Sequence, residues 1–170
     1  MTKLFDRRWW VGGACLLALL VVNADIVRKE MILASDNRVL LKLAPLDPRS
    51  LMQGDYMALR FQLAVDARGA PDYDQQSDDG YLIVSVDKNR VGHFVRFDNG
   101  VALTGAEQRI RYRIRKGRMK IATNAFFFQE GKAKHFEQAE YGEFAVDTSG
   151  NPLLVAMADE QLKSLGVMKR

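Results

Sequence analysis

The amino-acid sequence predicts a mostly β protein: an N-terminal transmembrane helix followed by an antiparallel β sandwich or partly closed barrel with short helices. Three observations carry that expectation. An uncharged apolar run, Trp9 to Val22, follows Lys3, Arg7 and Arg8 near the N-terminus. From Arg38 onward, short strand-like runs alternate with turn residues at close intervals, the pattern of hairpins. Of the 170 residues, 48% are hydrophobic and 27% charged, which supplies a packed core and argues against disorder. The expected organisation is an anchor with a helical extension over residues 1–35, a β domain over 36–166 and a tail over 167–170.

The N-terminal segment reads first as a retained signal anchor. Trp9 to Val27 as a helix spans roughly 28 Å at about 1.5 Å per residue, close to the hydrocarbon thickness of a bilayer. Arg7 and Arg8 suit the cytoplasmic side and the Trp9-Trp10 pair a headgroup belt. The expectation is therefore a single-pass protein of the inner (cytoplasmic) membrane with its C-terminal domain outside the cytoplasm. Two other readings stay open. Val22-Asn23-Ala24 offers a small-residue cleavage site for a signal peptide, and a run this short also suits a buried core helix. Cys15 precedes most of the apolar run instead of following it, unlike a lipoprotein cysteine. As the single cysteine it forms no internal disulfide and builds no zinc site. Helical spacing continues through Met31, Leu33 and Ala34, and Ser35-Asp36-Asn37 is a stop.

The β domain opens with a strand from Val39 to Leu43, ending at Pro45. Leu46 to Met52 suits a helical turn, with Asp47 as N-cap and Pro48 in its first position. Gly54-Asp55 makes a turn, because Gly tolerates positive φ and Asp bonds its own backbone. A strand from Tyr56 to Val65 follows, alternating large apolar residues with small or charged ones. Ala67 to Gly80 is a polar loop. Tyr81 to Val86 and Val91 to Phe97 form a hairpin around Asp87-Lys88-Asn89-Arg90, and Asp98-Asn99-Gly100 is a tight turn. Glu107 to Ile114 and Arg118 to Thr123 pair around Lys116-Gly117. Ala125 to Phe128 is an aromatic strand, and Lys132 to Ala139 a short helix. Gly142 to Val146 and Leu153 to Ala158 make a last hairpin around Ser149-Gly150-Asn151. Asp159 is then positioned to cap a C-terminal helix from Glu160 to Leu165, ended by Gly166.

Several residues are candidates for chemistry. Arg109, Arg111, Arg113 and Arg115 recur with period two, so a strand places all four on one face and Ile110, Tyr112 and Ile114 on the other. Such a row suits an anionic partner surface, and equally a wet strand face charged to blunt an edge. It lacks the interleaved aromatics of single-strand nucleic-acid binders. Asp72, Asp74, Asp78 and Asp79 do not follow EF-hand spacing and read as a solvated loop. His93 and His135, the two histidines, are not in metal spacing. Covalent catalysis needs a nucleophile beside a base. Ser50 lies near Asp47 and Asp55 but near neither histidine in sequence. No catalytic constellation, phosphate-cradling loop, cofactor motif or metal pattern is present.

The run Gly54-Asp55-Tyr56-Met57-Ala58-Leu59-Arg60-Phe61 resembles the signature of the GDYXXLXY family, membrane-anchored bacterial proteins without an assigned activity. The likeness extends to Leu46 through Gln53 as a lead-in, to Phe127-Phe128-Gln129-Glu130-Gly131, and to Tyr141-Gly142-Glu143-Phe144 with residues 150–155. One departure is Phe61, where the signature ends on Tyr. The resemblance implies a membrane-anchored protein and carries over no catalytic residue. A lesser likeness links the Gly54-Asp55 turn and the later aromatic strand to the signal-peptidase β fold. The serine which that fold places upstream is missing from Pro45-Leu46-Asp47-Pro48.

The sequence thus leads to a non-enzymatic binding or interaction module of the cell envelope. Its candidate sites are the signature turn (Asp47, Pro48, Arg49, Gly54, Asp55, Tyr56, Leu59) and the arginine row. The alternative is an envelope hydrolase or peptidase-like enzyme around the Asp47–Asp55 turn. Expected partners are the membrane and another envelope or integral-membrane protein, not nucleic acid.

Overall fold

In a computed structural model, the structure describes residues 2–34, 37–45, 52–53 and 56–167. The chain divides into two compact units, Met1–Ser35 and Asp36–Arg170. The first is helix α1 (Thr2–Ala34). Its segment Trp9–Leu33 has a mean hydropathy of 2.0 and contains no buried residue. By length and composition this helix can cross a membrane. Its one amide, Asn23, donates to the Leu19 carbonyl one turn back at 2.8 Å, which satisfies that group within the helix.

The second unit is mostly strands. It contains β1 (Arg38–Lys42), β2 (Met52–Gln53), β3 (Tyr56–Ala58), β4 (Asp79–Val86), β5 (Gly92–Phe97) and β6 (Glu107–Arg115). β7 (Arg118–Ile121), β8 (Ala125–Phe127), β9 (Tyr141–Val146), β10 (Pro152–Ala158) and β11 (Ser164–Val167) complete it. Two short helices, α2 (Gln62–Arg68) and α3 (Ala133–Phe136), and a 3-10 turn at Tyr73–Gln75 interrupt the strands. The strands form three antiparallel sheets, ordered β1-β9-β10-β11, β2-β3-β8 and β5-β4-β6-β7. β1 also leans on the start of β5: Leu40 bridges Val91, and its N–H donates to the Arg90 carbonyl at 2.8 Å. That contact joins the first and third sheets. It explains why Val39, Leu40 and Leu41 are all buried, with no alternation.

One hydrophobic cluster lies under all three sheets. Phe61 meets Phe144 edge-on at 5.2 Å, and Phe97 meets Tyr112 at 5.7 Å. Phe126 and Phe128 both close on Phe136 of α3, at 4.9 and 5.3 Å. Such ring pairs add about 0.5–1.5 kcal/mol each beyond their buried area. Two glycines permit close approaches of aromatic rings. The Tyr112 ring lies over its register partner Gly80, where an added Cβ would meet the phenol oxygen at 2.7 Å. At Gly142 a Cβ would come within 3.2 Å of Phe61, Phe144 and Leu154.

The hairpins fall where turn chemistry places them. Asp87 and Asp147 each accept two backbone N–H bonds of their own turns. Lys116 and Gly117 both have positive φ, 53° and 68°, as a two-residue type I′ loop requires.

Three expected elements are corrected. The strand predicted from Tyr56 to Val65 stops at Ala58, and Gln62–Arg68 is helical. Apolar alternation persists through buried Met57, Leu59 and Phe61, then changes to a four-residue spacing at buried Leu63 and Ala67. The C-terminal helix predicted from Glu160 to Leu165 is instead a turn into β11. The Asp159 carboxylate does accept the Lys163 N–H at 2.9 Å, but Leu162 has φ 63° and Ser164–Val167 pairs with β10. The helix expected from Lys132 to Ala139 shortens to the single turn Ala133–Phe136.

Candidate functional site

The signature contributes both core and surface. Asp47, Pro48, Arg49, Ser50, Gly54 and Asp55 lie outside the described residues. Tyr56 is half-buried, its ring 5.8 Å from that of exposed Phe127. Leu59 and Phe61 point into the core, and Arg60 between them is exposed. Phe61 is 3% exposed and packed edge-on against Phe144, so the phenyl that replaces the signature's tyrosine fills an apolar site.

The arginine row lies on β6 as the period-two pattern predicts, with Ile110 and Tyr112 buried and Arg111, Arg113 and Arg115 exposed. β6 is an interior strand, between β4 and β7, so its charges do not blunt an edge. Nor do the four arginines act as a set. Arg109 donates to Asp98 at 2.7 Å, and Arg115 to Asp79 at 2.8 Å. Arg111 approaches Asn151 at 3.5 Å. Burial pushes the Asp98 carboxyl upward, but its hydrogen bonds to Arg109 and the Gly100 amide outweigh this and hold it below the usual carboxylate range. The Arg115 hydrogen bond likewise lowers Asp79.

The structure gathers a different set of cations. A cleft of about 950 Å³ opens between β7 and the Ala58–Phe61 segment that leads into α2. Arg60 and Arg68 stand on one side, and Arg115, Lys116, Arg118 and Lys120 on the other. Leu59, Phe61, Met119 and Ile121 supply apolar lining. No carboxylate lines the cleft among the described residues. Within the same residues Arg60, Arg68, Lys116, Arg118 and Lys120 have no ion-pair partner. Across the β6–β7 hairpin, Arg115 stands opposite Arg118 and Arg113 opposite Lys120. Like charges directly opposed across a hairpin are destabilising.

Of the arginine row, only Arg115 reaches this cleft. The sequence did hold a signal for the rest. Arg113, Arg115, Lys116, Arg118 and Lys120 fall within eight residues centred on a predicted turn. Arg60 and Arg68 are more than forty residues away in sequence, and only the tertiary fold brings them near.

The other candidates stand apart. Asp72 accepts from Gln76 within the 3-10 turn, and Asp79 is committed to Arg115. His93 lies 3.4 Å from Asp87, and the His135 ring 2.6 Å from the Leu165 carbonyl, both at the surface. Among the described residues no group of three potential metal ligands occurs.

The fold and the cleft define a mostly β domain, with a basic recess, on a chain that begins with an apolar helix of membrane-crossing length. The family model described as GDYXXLXY protein matches residues 18–157, most of the chain. The chain belongs to the GDYXXLXY family. No curated protein and no solved structure matches it.

Proposed function

We propose that this is a single-pass inner-membrane protein whose β domain lies outside the cytoplasm and binds an anionic envelope component in the basic cleft, without catalysing a reaction. The observation that carries this reading is the cleft itself. Six cations converge on it with no lining carboxylate among the described residues, and two of the like-charge oppositions sit in strand register beside it. A charged recess of this kind concentrates anions. Elsewhere on the same sheet Arg96 and Arg109 are neutralised internally by Glu107 and Asp98, whereas of the six cleft cations only Arg115 has an ion-pair partner, Asp79, among the described residues. Lys3, Arg7 and Arg8 ahead of the span support the orientation.

The test is a thermal shift on the full chain in nonionic detergent with inorganic polyphosphate as the anion. A ligand at 100 times its Kd stabilises by about 2.7 kcal/mol, a shift of several degrees. The Arg60→Gln, Arg68→Gln, Lys120→Gln triple variant is expected to lose that shift while melting at or slightly above the wild-type temperature without ligand. An equal shift in both proteins overturns the reading. N-terminal sequencing of the membrane fraction checks the anchor, and a soluble chain beginning at Asp25 refutes it.

A further inference from the structure

We infer that the occupant of this cleft is an extended acidic segment of a partner protein, which adds a strand to the open edge of β7. The inference rests on the anion-binding reading above and names its ligand. In the order β5-β4-β6-β7, β7 is terminal, and among the described residues no strand pairs with its other side. All four β7 residues line the cleft, whichever way their side chains point. The cleft therefore runs along the strand's edge and not over one face of the sheet.

Hairpin geometry fixes which main-chain groups that edge presents. A two-residue loop makes its flanking pair, Arg115 and Arg118, a hydrogen-bonded one, and hydrogen-bonded pairs then alternate. Arg113 and Lys120 are the next such pair. The N–H and C=O groups of Arg118 and Lys120 thus face β6. Those of Met119 and Ile121 face away, along the cleft. The opposite wall offers no equivalent. Leu59 donates its N–H to the Asn124 carbonyl at 2.7 Å, and the Arg60 carbonyl accepts from Ala44 at 2.8 Å. One edge of an incoming strand would therefore be bonded and the other would not.

Charge selects the partner. Arg118 and Lys120 would face each other if two copies of this edge met, so they oppose self-association. The same side chains, with Arg60 and Arg68 across the cleft, attract a strand that carries carboxylates. Its alternate apolar residues would meet Leu59, Phe61 and Met119. A lipid headgroup or free phosphate could use the cations and accept from the main-chain N–H groups, but it lacks the alternating N–H and C=O groups that complete both donors and acceptors of a strand edge.

The experiment uses the full chain in nonionic detergent and a fluorescein-labelled decapeptide of alternating Glu and Val, read by fluorescence anisotropy. Two further peptides are N-methylated at every Val or at every Glu, which blocks one hydrogen-bonding edge and keeps all charges. Expected is tight binding of the parent, at least tenfold loss for one methylated peptide, and a change under twofold for the other. The Arg118→Gln, Lys120→Gln variant should bind none of them well. If both methylated peptides bind like the parent, strand addition is overturned while anion binding survives. If phosphatidylglycerol vesicles bind more tightly than the parent peptide and displace it, a lipid surface replaces the peptide as ligand. If neither the peptide nor polyphosphate prefers the wild-type protein over the variant, the anion-binding reading fails as well.

Discussion

Lys120→Glu should make the protein more stable and a poorer anion binder. Lys120 and Arg113 are exposed and face each other in antiparallel register. At about 6 Å in water, two unit charges interact by about 0.7 kcal/mol. Reversing one sign therefore swings the pair by about 1.4 kcal/mol, which screening at the surface reduces to about 1 kcal/mol. Measured cross-strand charge pairs, at about 0.2–1 kcal/mol each, agree with that size. For a unit of this size, about 1 kcal/mol raises the melting temperature by about 3–5 °C. The assay is thermal unfolding of the full chain in nonionic detergent, followed by the β-sheet circular dichroism signal. The gain should shrink at about 1 M salt, where charges are screened within about 3 Å. It should also vanish when Arg113→Gln is already present, because the pair then has one charge. A gain of equal size in the Arg113→Gln background would refute the reasoning, as would a loss of stability. Polyphosphate binding should fall in the same variant, separating what the hairpin needs to fold from what the cleft needs to bind.

Two further outcomes follow from buried and titrating groups. In the folded chain Asp87 is lowered by the Val91 and Asn89 amides and Asp79 by Arg115, while Asp98 stays low despite its burial. A carboxylate lowered on folding stabilises above its unfolded value of about 3.9 and loses that contribution as pH falls through its folded value. Melting temperature should accordingly stay flat from about pH 7 to pH 5 and drop below about pH 4, with a shallower drop in Asp98→Asn. The Tyr73 hydroxyl is enclosed without a hydrogen-bond partner among the described residues, whereas the Tyr112 hydroxyl donates to the Ser77 carbonyl at 3.2 Å. Tyr73→Phe should be neutral or stabilising by about 1 kcal/mol and Tyr112→Phe destabilising by a similar amount; denaturant melts showing the reverse order would contradict these assignments.

The hairpins were legible because their turns carry their own chemistry: Asp87 and Asp147 as acceptors, Lys116-Gly117 as a positive-φ pair. Helix α2 was not legible. Its N-cap, Phe61, makes no side-chain capping bond, so nothing local marks the change from strand to helix. Asp159 misled in the opposite sense. Its capping bond is present, but it closes a turn whose Leu162 adopts positive φ, and pairing with β10 decides the rest. The period-two arginine row was readable as a face. That Arg109 and Arg115 would be neutralised depended on where Asp98 and Asp79 fall across the sheet, which alternation within one strand does not report.

The signature gains a physical role from this placement. Its apolar positions Leu59 and Phe61 lock the segment into the core, and Phe61 packs against Phe144 beside Gly142. Arg60, between the two, is thereby held outward on the cleft wall opposite β7. The Gly142 region and the signature are thus parts of one device, in which the absence of a side chain at Gly142 admits the Phe61 ring. A methyl at Gly142 would come within 3.2 Å of three core side chains, and overpacking of this kind costs about 1–3 kcal/mol. Because the same contact seats the Ala58–Phe61 wall, the strain would reach the cleft as well as the core. The signature and the Gly142 segment, about eighty residues apart, therefore meet where core packing sets the position of a cleft-lining cation.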